Sequence, residues 1–305
     1  MRPCADRIID VVKIRFGVGS GPTRPSDDLA AIVDQLEDLG IDSLWLSELV
    51  YAPQVDPVVG LAHAASRTRR LKLGTGVSVL PGRNPVLMAK QLASLAWLAP
   101  GRILPVFGLQ PARAGERALF PVPPGRRGAV FDESLVLLRL LLEQPTVTFR
   151  GEFFSVEDAG VGLLPDRPLD LWLGGAAPAG LRRVGRLADG WLGSLLTPAE
   201  AAAAIVTIQD AAAEAGRTVD PDHFGISLPV ALAEPDPGLL GTIRDRRPGT
   251  DPRTLVPHGW AQTRRLVDEY AAAGISKFVV RPAAHPTSWT RFLTEVATEL
   301  LPLQR

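Results

Sequence analysis

The residues of this sequence with the most chemistry in reach stand at the ends of short apolar runs. Trp45-Leu46-Ser47-Glu48-Leu49 ends one run with a hydroxyl and a carboxylate side by side. Glu48 can accept a cofactor hydroxyl or move a proton, or it can pair with an arginine, the commoner fate of a glutamate. Leu73-Gly74-Thr75-Gly76-Val77-Ser78-Val79-Leu80-Pro81 carries two glycines inside a strand pattern. Missing side chains there mark a bulge, a close approach by another group, or tolerance of small residues in a crowded interior. Leu173-Gly174-Gly175-Ala176-Ala177-Pro178-Ala179-Gly180 passes from a strand through small residues into a helix. Backbone N–H groups at such a helix start can approach an anion or a cofactor, and the helix dipole favours it. An ordinary tight turn has the same composition. Arg281 closes a late apolar run, and its guanidinium can meet a phosphate or carboxylate bidentately or sit in a surface salt bridge. Arg182, Arg183 and Arg186 read as a solvated helix face. His63, His223, His258 and His285 have no partner at ligand spacing, so they form no metal motif and none is nominated as a base.

The elements that must position these residues alternate along the chain. A strand from Ile14 to Gly19 is followed by Pro25-Ser26-Asp27-Asp28, where Ser26 can cap a helix running to Gly40 with Leu29, Ile32, Val33, Leu36 and Leu39 on one stripe. Asp42 to Ser47 is strand two. Helix starts recur as a capping residue before proline at Asp56-Pro57, Asn84-Pro85 and Thr197-Pro198, the last completed by Glu200 as a capping box. Strand three spans Leu71 to Val79 and strand four Arg102 to Gly108. A helix from Phe131 to Glu143 precedes a small hairpin, Val147 to Phe149 and Phe153 to Val156 around Arg150-Gly151-Glu152. Strands five to eight are Leu169 to Leu173, Trp191 to Leu195, Gly225 to Leu232 and Lys277 to Arg281. Helices at Pro178 to Ala188, Pro198 to Gly216, Trp260 to Gly274 and Ser288 to Leu301 separate or follow them.

Eight strands each followed by a helix is the rhythm of a closed α/β architecture, the (β/α)8 TIM barrel. An open doubly wound sheet usually carries a phosphate fingerprint after its first strand, and Gly17-Val18-Gly19-Ser20-Gly21-Pro22 fails that spacing. Two long insertions, Leu109 to Val130 after strand four and Ala233 to Gly259 after strand seven, fall at the face where barrel active sites form. The 305 residues, 46% of them hydrophobic, suit one large core. The expected organisation is a flexible leader over residues 1–13 and a single barrel domain over 14–305. A net charge of zero speaks against nucleic acid and anionic membranes as partners. A lone Cys4 fits a reducing cytoplasm, and charged residues or prolines interrupt every apolar run short of a membrane span.

Four segments together resemble the luciferase-like monooxygenase superfamily, in its branch of coenzyme F420-dependent oxidoreductases. They are Glu37 to Trp45; Leu73-Gly74-Thr75-Gly76-Val77 with Arg83-Asn84-Pro85; Trp172-Leu173-Gly174-Gly175; and Ala188-Asp189-Gly190-Trp191. Phe131 to Leu135 and Gly274 to Val279 add to the likeness, which spans nearly the whole chain. It implies a tricyclic ring in the barrel mouth against a bulge at Gly76-Val77, whose peptide bond is then cis. Ser47, Glu48, Gly76, Val77 and Ser78 would contact the ring, with Glu48 the catalytic candidate. Gly174, Gly175, Ala176 and Ala177 would hold the cofactor tail, and Arg281 a substrate or anion. The implied activity is hydride transfer between F420 and a small organic substrate. The alternatives are an FMN-dependent monooxygenase and a non-catalytic flavin-binding barrel. A homodimer is compatible with all three. The chain departs from the pattern at Glu48-Leu49, where several relatives carry Asp-His, and at Val106-Phe107-Gly108-Leu109-Gln110-Pro111, where many carry Gly-x-Gly-x-Gly.

Overall fold

The alternation of strand and helix is realised as a ring of parallel strands that closes through two broken members. β1 (Arg15–Gly19) pairs with β2 (Ser43–Leu46), and β2 with β3 (Lys72–Thr75). β3 resumes as β4 (Ser78–Val79) beyond a bulge, while β5 (Ile103–Leu104) resumes as β6 (Val106–Gly108) beyond Pro105, which has no N–H to give to the ladder. Leu73 of β3 faces Ile103 of β5, and Ser78 of β4 faces Phe107 of β6. The ring continues through β9 (Trp172–Gly174), β10 (Gly190–Ser194), β11 (Phe224–Val230) and β12 (Lys277–Pro282), which returns to β1. Strands three and four of the sequence reading are thus each split in two. The hairpin β7 (Val147–Arg150) and β8 (Ser155–Ala159) forms its own antiparallel sheet outside the barrel. This computed structural model describes residues 13–21, 24 and 27–305. Residues 1–12 of the expected leader, Cys4 and Ser26 lie outside the described residues.

The helices start largely where their capping residues stand. α1 (Leu29–Asp38) is capped by Asp28, which accepts from the Ala31 N–H at 3.1 Å. α2 (Pro57–Arg67), α3 (Pro85–Leu98) and α6 (Pro198–Glu214) are capped by Asp56, Asn84 and Thr197, each with proline in the first turn, and Thr197 and Glu200 complete their capping box. α4 (Arg127–Glu143), α5 (Pro178–Leu187), α8 (Gly259–Ala272) and α9 (Trp289–Leu300) complete the expected set. The insertion after β11 is not a plain loop: it holds α7 (Pro237–Arg246), capped by Asp236. Its apolar residues make no stripe long enough to read as a helix, although Asp236-Pro237 repeats the start signal of α2. Arg183 is also not solvated. It is buried, pairs with Asp132 of α4 and lies 5.4 Å from the Phe131 ring, while Arg182 and Arg186 are exposed.

Two apolar layers follow from the period-two alternation of strand side chains. Phe16, Val18, Leu44, Leu46 and Leu73 face the helices, whereas Trp45, Val106, Trp172, Leu192 and Val279 fill the lumen. Glycines on neighbouring strands make room for the lumen indoles. A Cβ at Gly74 would lie 2.5 Å from the Trp45 ring and one at Gly190 would lie 2.3 Å from the Trp172 ring. At the N-terminal end of the barrel, Asp42 bonds Lys277 at 3.0 Å and Lys72 at 3.1 Å. Burial alone would push the Asp42 carboxyl up, but the two ammonium groups hold it below its ordinary range. Removing one partner of a buried pair strands the other charge, so Asp42→Asn should cost about 3–5 kcal/mol in denaturant unfolding. The folded carboxyl titrates below the unfolded one. The gap between wild type and variant should therefore be full above about pH 4 and close as pH falls through the depressed folded value.

Candidate active site

The bulge between β3 and β4 is the centre of the barrel mouth, and its Gly76–Val77 peptide bond is cis. Four groups hold it. The Gly76 N–H donates to the Leu46 carbonyl at 2.7 Å, and the Glu48 N–H donates to the Val77 carbonyl at 3.2 Å. The Gly76 carbonyl accepts from Ser47 Oγ at 2.8 Å and from Arg281 Nη2 at 3.1 Å. Val77 then packs against glycines at the ends of β6, which pairs with β4, and of β9, the next strand: a Cβ would come within 2.7 Å of it at Gly108 and within 2.9 Å at Gly174. Gly174 therefore makes room for Val77.

Arg281 reaches across the lumen from the end of β12. Its Nε donates to Ser227 Oγ at 2.9 Å, and its Nη1 donates to the Ser20 carbonyl at 3.0 Å and to Ser47 Oγ at 3.1 Å. A Cβ at Gly19 would stand 2.5 Å from the guanidinium carbon, so glycine is what admits the head group. All of these acceptors are neutral, and Arg281 forms no ion pair with a described carboxylate. Burial pushes its pKa down to about 10, so it stays a cation at neutral pH.

Glu48, the catalytic candidate of the sequence, is buried, and both of its carboxylate oxygens are engaged. One carboxylate oxygen accepts from the Val79 N–H at 2.7 Å and the other pairs with Arg83. Arg83 in turn donates through Nε to the Val79 carbonyl at 2.9 Å and lies 5.3 Å from the Phe120 ring. This geometry realises the arginine-paired alternative, and it makes Glu48 a group that positions β4. Ser78 is buried beside the bulge, and its hydroxyl completes no hydrogen bond among the described residues.

The small-residue loop after β9 also lies at this end. Gly175 has φ of 108°, a conformation open to glycine, and the space a Cβ would occupy is empty. Its carbonyl is anchored by the Trp191 indole N–H at 2.8 Å. α5 follows with Ala177 at its cap position and no side-chain cap, so its first-turn N–H groups are not satisfied by a capping side chain as those of α1, α2, α3 and α6 are. Two groups escaped the sequence reading. Glu116, in the irregular insertion after β6, is fully buried and accepts from the Tyr51 N–H at 3.0 Å, while its other oxygen has no partner among the described residues. No periodic pattern marks it. His285 pairs with Asp27 at 2.9 Å, across most of the chain's length. Among the described residues no cluster of acidic, histidine or cysteine side chains could hold a metal ion, and no helix is long and apolar enough to cross a membrane. The insertions meet where Arg246 of α7 donates to the Ala112 carbonyl.

Comparison with known proteins agrees with this geometry. The family model described as luciferase-like monooxygenase matches residues 9–276. An F420-dependent glucose-6-phosphate dehydrogenase of Kineococcus radiotolerans is 27% identical, covering 91% of this chain and 93% of its own. Limonene 1,2-monooxygenase of Rhodococcus erythropolis is 27% identical over 77% of this chain and 65% of its own. Among solved structures, an F420-dependent secondary alcohol dehydrogenase in complex with an F420-acetone adduct superposes with a TM-score of 0.80 at 20% identity, covering 96% of this chain and 99% of its own. The packing around the bulge yields a prediction independent of any ligand. Gly174→Val should drive its side chain into Val77, a stiff β-branched residue with no free rotamer to retreat into, and lower stability by about 1–3 kcal/mol in denaturant unfolding.

Proposed function

The chain belongs to the luciferase-like monooxygenase family, a family of enzymes, and from that premise we propose that it is an F420-dependent oxidoreductase acting on a small organic molecule at the barrel mouth. The observation that carries the reading is the bulge itself, braced from β2 and the residues that follow it and from Arg281 of β12. It offers a fixed backbone wall at Gly76 and Val77, a buried hydroxyl at Ser78 and a cation at Arg281. The residues present fit the group: an unsatisfied hydroxyl beside a rigid wall suits a heteroatom-rich planar ring, and the uncapped start of α5 behind Gly175 suits a negatively charged tail. When bound, a deazaflavin supplies a carbon that gives or takes a hydride as a two-electron carrier.

The chain's own work in this reading is orientation and exclusion of water. Ser47 and Arg281 fix the Gly76 carbonyl, and Glu48 with Arg83 fixes β4, so the wall cannot shift when a ring presses on it. The positive charge of Arg281, met only by neutral acceptors, favours negative charge on ring or substrate. The likeness to limonene 1,2-monooxygenase supports a second reading, an FMN-dependent monooxygenase built on the same mouth.

The two are separated by titrating the purified protein with F420 and FMN by absorbance or fluorescence. Under the proposal F420 binds at least about tenfold more tightly, and turnover with the reduced cofactor consumes no oxygen. Tighter FMN binding with oxygen-dependent product hands the function to the monooxygenase; binding of neither removes both. Arg281→Met tests the charge. The change also leaves the Ser20 and Gly76 carbonyls and the Ser47 and Ser227 hydroxyls without this donor. It should therefore lower stability by about 1–3 kcal/mol or more and weaken F420 binding by about tenfold or more, whereas Arg281→Lys, which keeps the charge, should bind F420 more tightly than Arg281→Met. Gly175→Leu should weaken binding by a comparable factor, because its side chain would enter the empty space before α5. Since φ of 108° strains any side chain there, the variant should also unfold at lower denaturant, while circular dichroism shows that the barrel still folds.

A further inference from the structure

α3 is apolar on both of its sides. Met88, Ala89, Leu92 and Leu95 pack into the core, yet Leu87, Trp97 and Leu98 face outward and are 65%, 63% and 49% exposed. A helix apolar all round is ordinarily buried all round. α2, which packs beside it, adds Val59 at 62% exposure. The two helices contain no Asp or Glu, in a chain whose residues are 22% charged. Their permanent charges are Arg67, paired with Asp34 of α1, and Lys90, which donates to the Val161 carbonyl at 2.9 Å. Aliphatic and aromatic side chains with charge depleted between them have the composition of an interface core. The four side chains expose apolar surface on the order of 400 Å², about half of the roughly 800 Å² that each partner buries in a standard interface, and such interfaces are a little over half apolar.

The positions along α3 indicate which partner fits. Leu87 and Leu98 are about three helical turns apart and share one face, and Gln91 and Ser94 stand between them on it. This row maps onto itself when reversed. If a second α3 lies antiparallel about a two-fold axis through the middle of the helix, Leu87 meets Leu98 and Gln91 meets Ser94, and each pair occurs twice. The polar groups at the centre are complementary as well. Ser94 Oγ donates to the Lys90 carbonyl at 2.8 Å, which leaves its oxygen to accept, and the Gln91 amide completes no hydrogen bond among the described residues. We propose that this face is a homodimer interface, covered by a second copy of the chain through antiparallel α3 helices, with Gln91 of each copy donating to Ser94 of the other.

Sedimentation of the purified full chain supplies the test. Wild type should sediment as a dimer with Kd below about 1 µM. Leu87→Glu and Leu98→Arg each place a charge in one end of the contact and should raise Kd by about a hundredfold or more. Both positions are exposed, and each introduced charge suits its end of the helix dipole, so circular dichroism should show that the lone chain keeps its fold. Mixing the two variants tests the register. In a mixed dimer one end holds the introduced carboxylate against the introduced guanidinium and the other keeps Leu87 against Leu98, so the mixture should associate at least about tenfold more tightly than either variant alone. A wild type that stays monomeric at about 10 µM, a folded single variant that dimerises with wild-type affinity, or a mixture no tighter than its components each overturns the proposal. The measurement needs no cofactor, so it stands or falls apart from the oxidoreductase reading.

Discussion

A half-buried guanidinium with no carboxylate beside it must find neutral acceptors, and the shape of the barrel mouth follows from where Arg281 finds them. Ser20, Ser47, Gly76 and Ser227 belong to or directly follow β1, β2, β3 and β11, so one side chain from β12 ties four other strands to a single point. The tie works only because glycine stands at positions 19 and 76, where any side chain would overlap the head group. A barrel interior more usually fills with layers of branched aliphatic residues. Here Trp45, Trp172 and Arg281 share the lumen with Val106, Leu192 and Val279, and glycines on the neighbouring strands are the complementary surface of the two indoles. The bulge at Gly76 is held rigid as a consequence of that packing.

Much of this was legible along the chain. Apolar runs alternating with capped helix starts specify strand and helix locally, because a cap such as Asp56-Pro57 or Thr197-Pro198-Ala199-Glu200 satisfies its own helix end without help from the fold. Gly76, Ser47 and Arg281 stand at strand ends, and closed-barrel topology brings strand ends to one face. Their convergence could be read from the alternation alone. Of the two strand breaks, the one at Gly76–Val77 was signalled by glycines inside a strand pattern and by the resemblance, whereas the one between β5 and β6 was not read, although Pro105 has no N–H to give to the pairing ladder.

What escaped the sequence shares one physical character: it depends on partners distant in the chain. Glu48 is chemically able to move a proton, and only the position of Arg83 and the Val79 N–H shows that both oxygens are occupied. His285 looks solitary until the fold sets Asp27 beside it. Glu116 sits in an insertion with no period to read, yet it is fully buried. α7 is the opposite case, since its start signal at Asp236-Pro237 is local and visible. Its apolar face is short because it packs over the mouth and not against the sheet, so Leu239 and Ile243 belong to a small separate cluster with Leu195 and Ala283.

The two ends of the barrel treat charge in opposite ways. At the N-terminal end Asp42 is shared by Lys277 and Lys72, so each buried charge has an opposite charge within hydrogen-bonding distance and the arrangement serves stability. At the C-terminal end Arg281 is half-buried with only carbonyl and hydroxyl oxygens bonded to it, which soften the desolvation cost without cancelling the charge. A site that retains uncancelled positive potential has stability to gain from an incoming anion, and a site already neutralised has none. The same sequence element, the strand from Lys277 to Pro282, carries both the neutralised cation at its start and the uncancelled one near its end. Its direction through the barrel therefore fixes which face keeps an uncancelled positive charge.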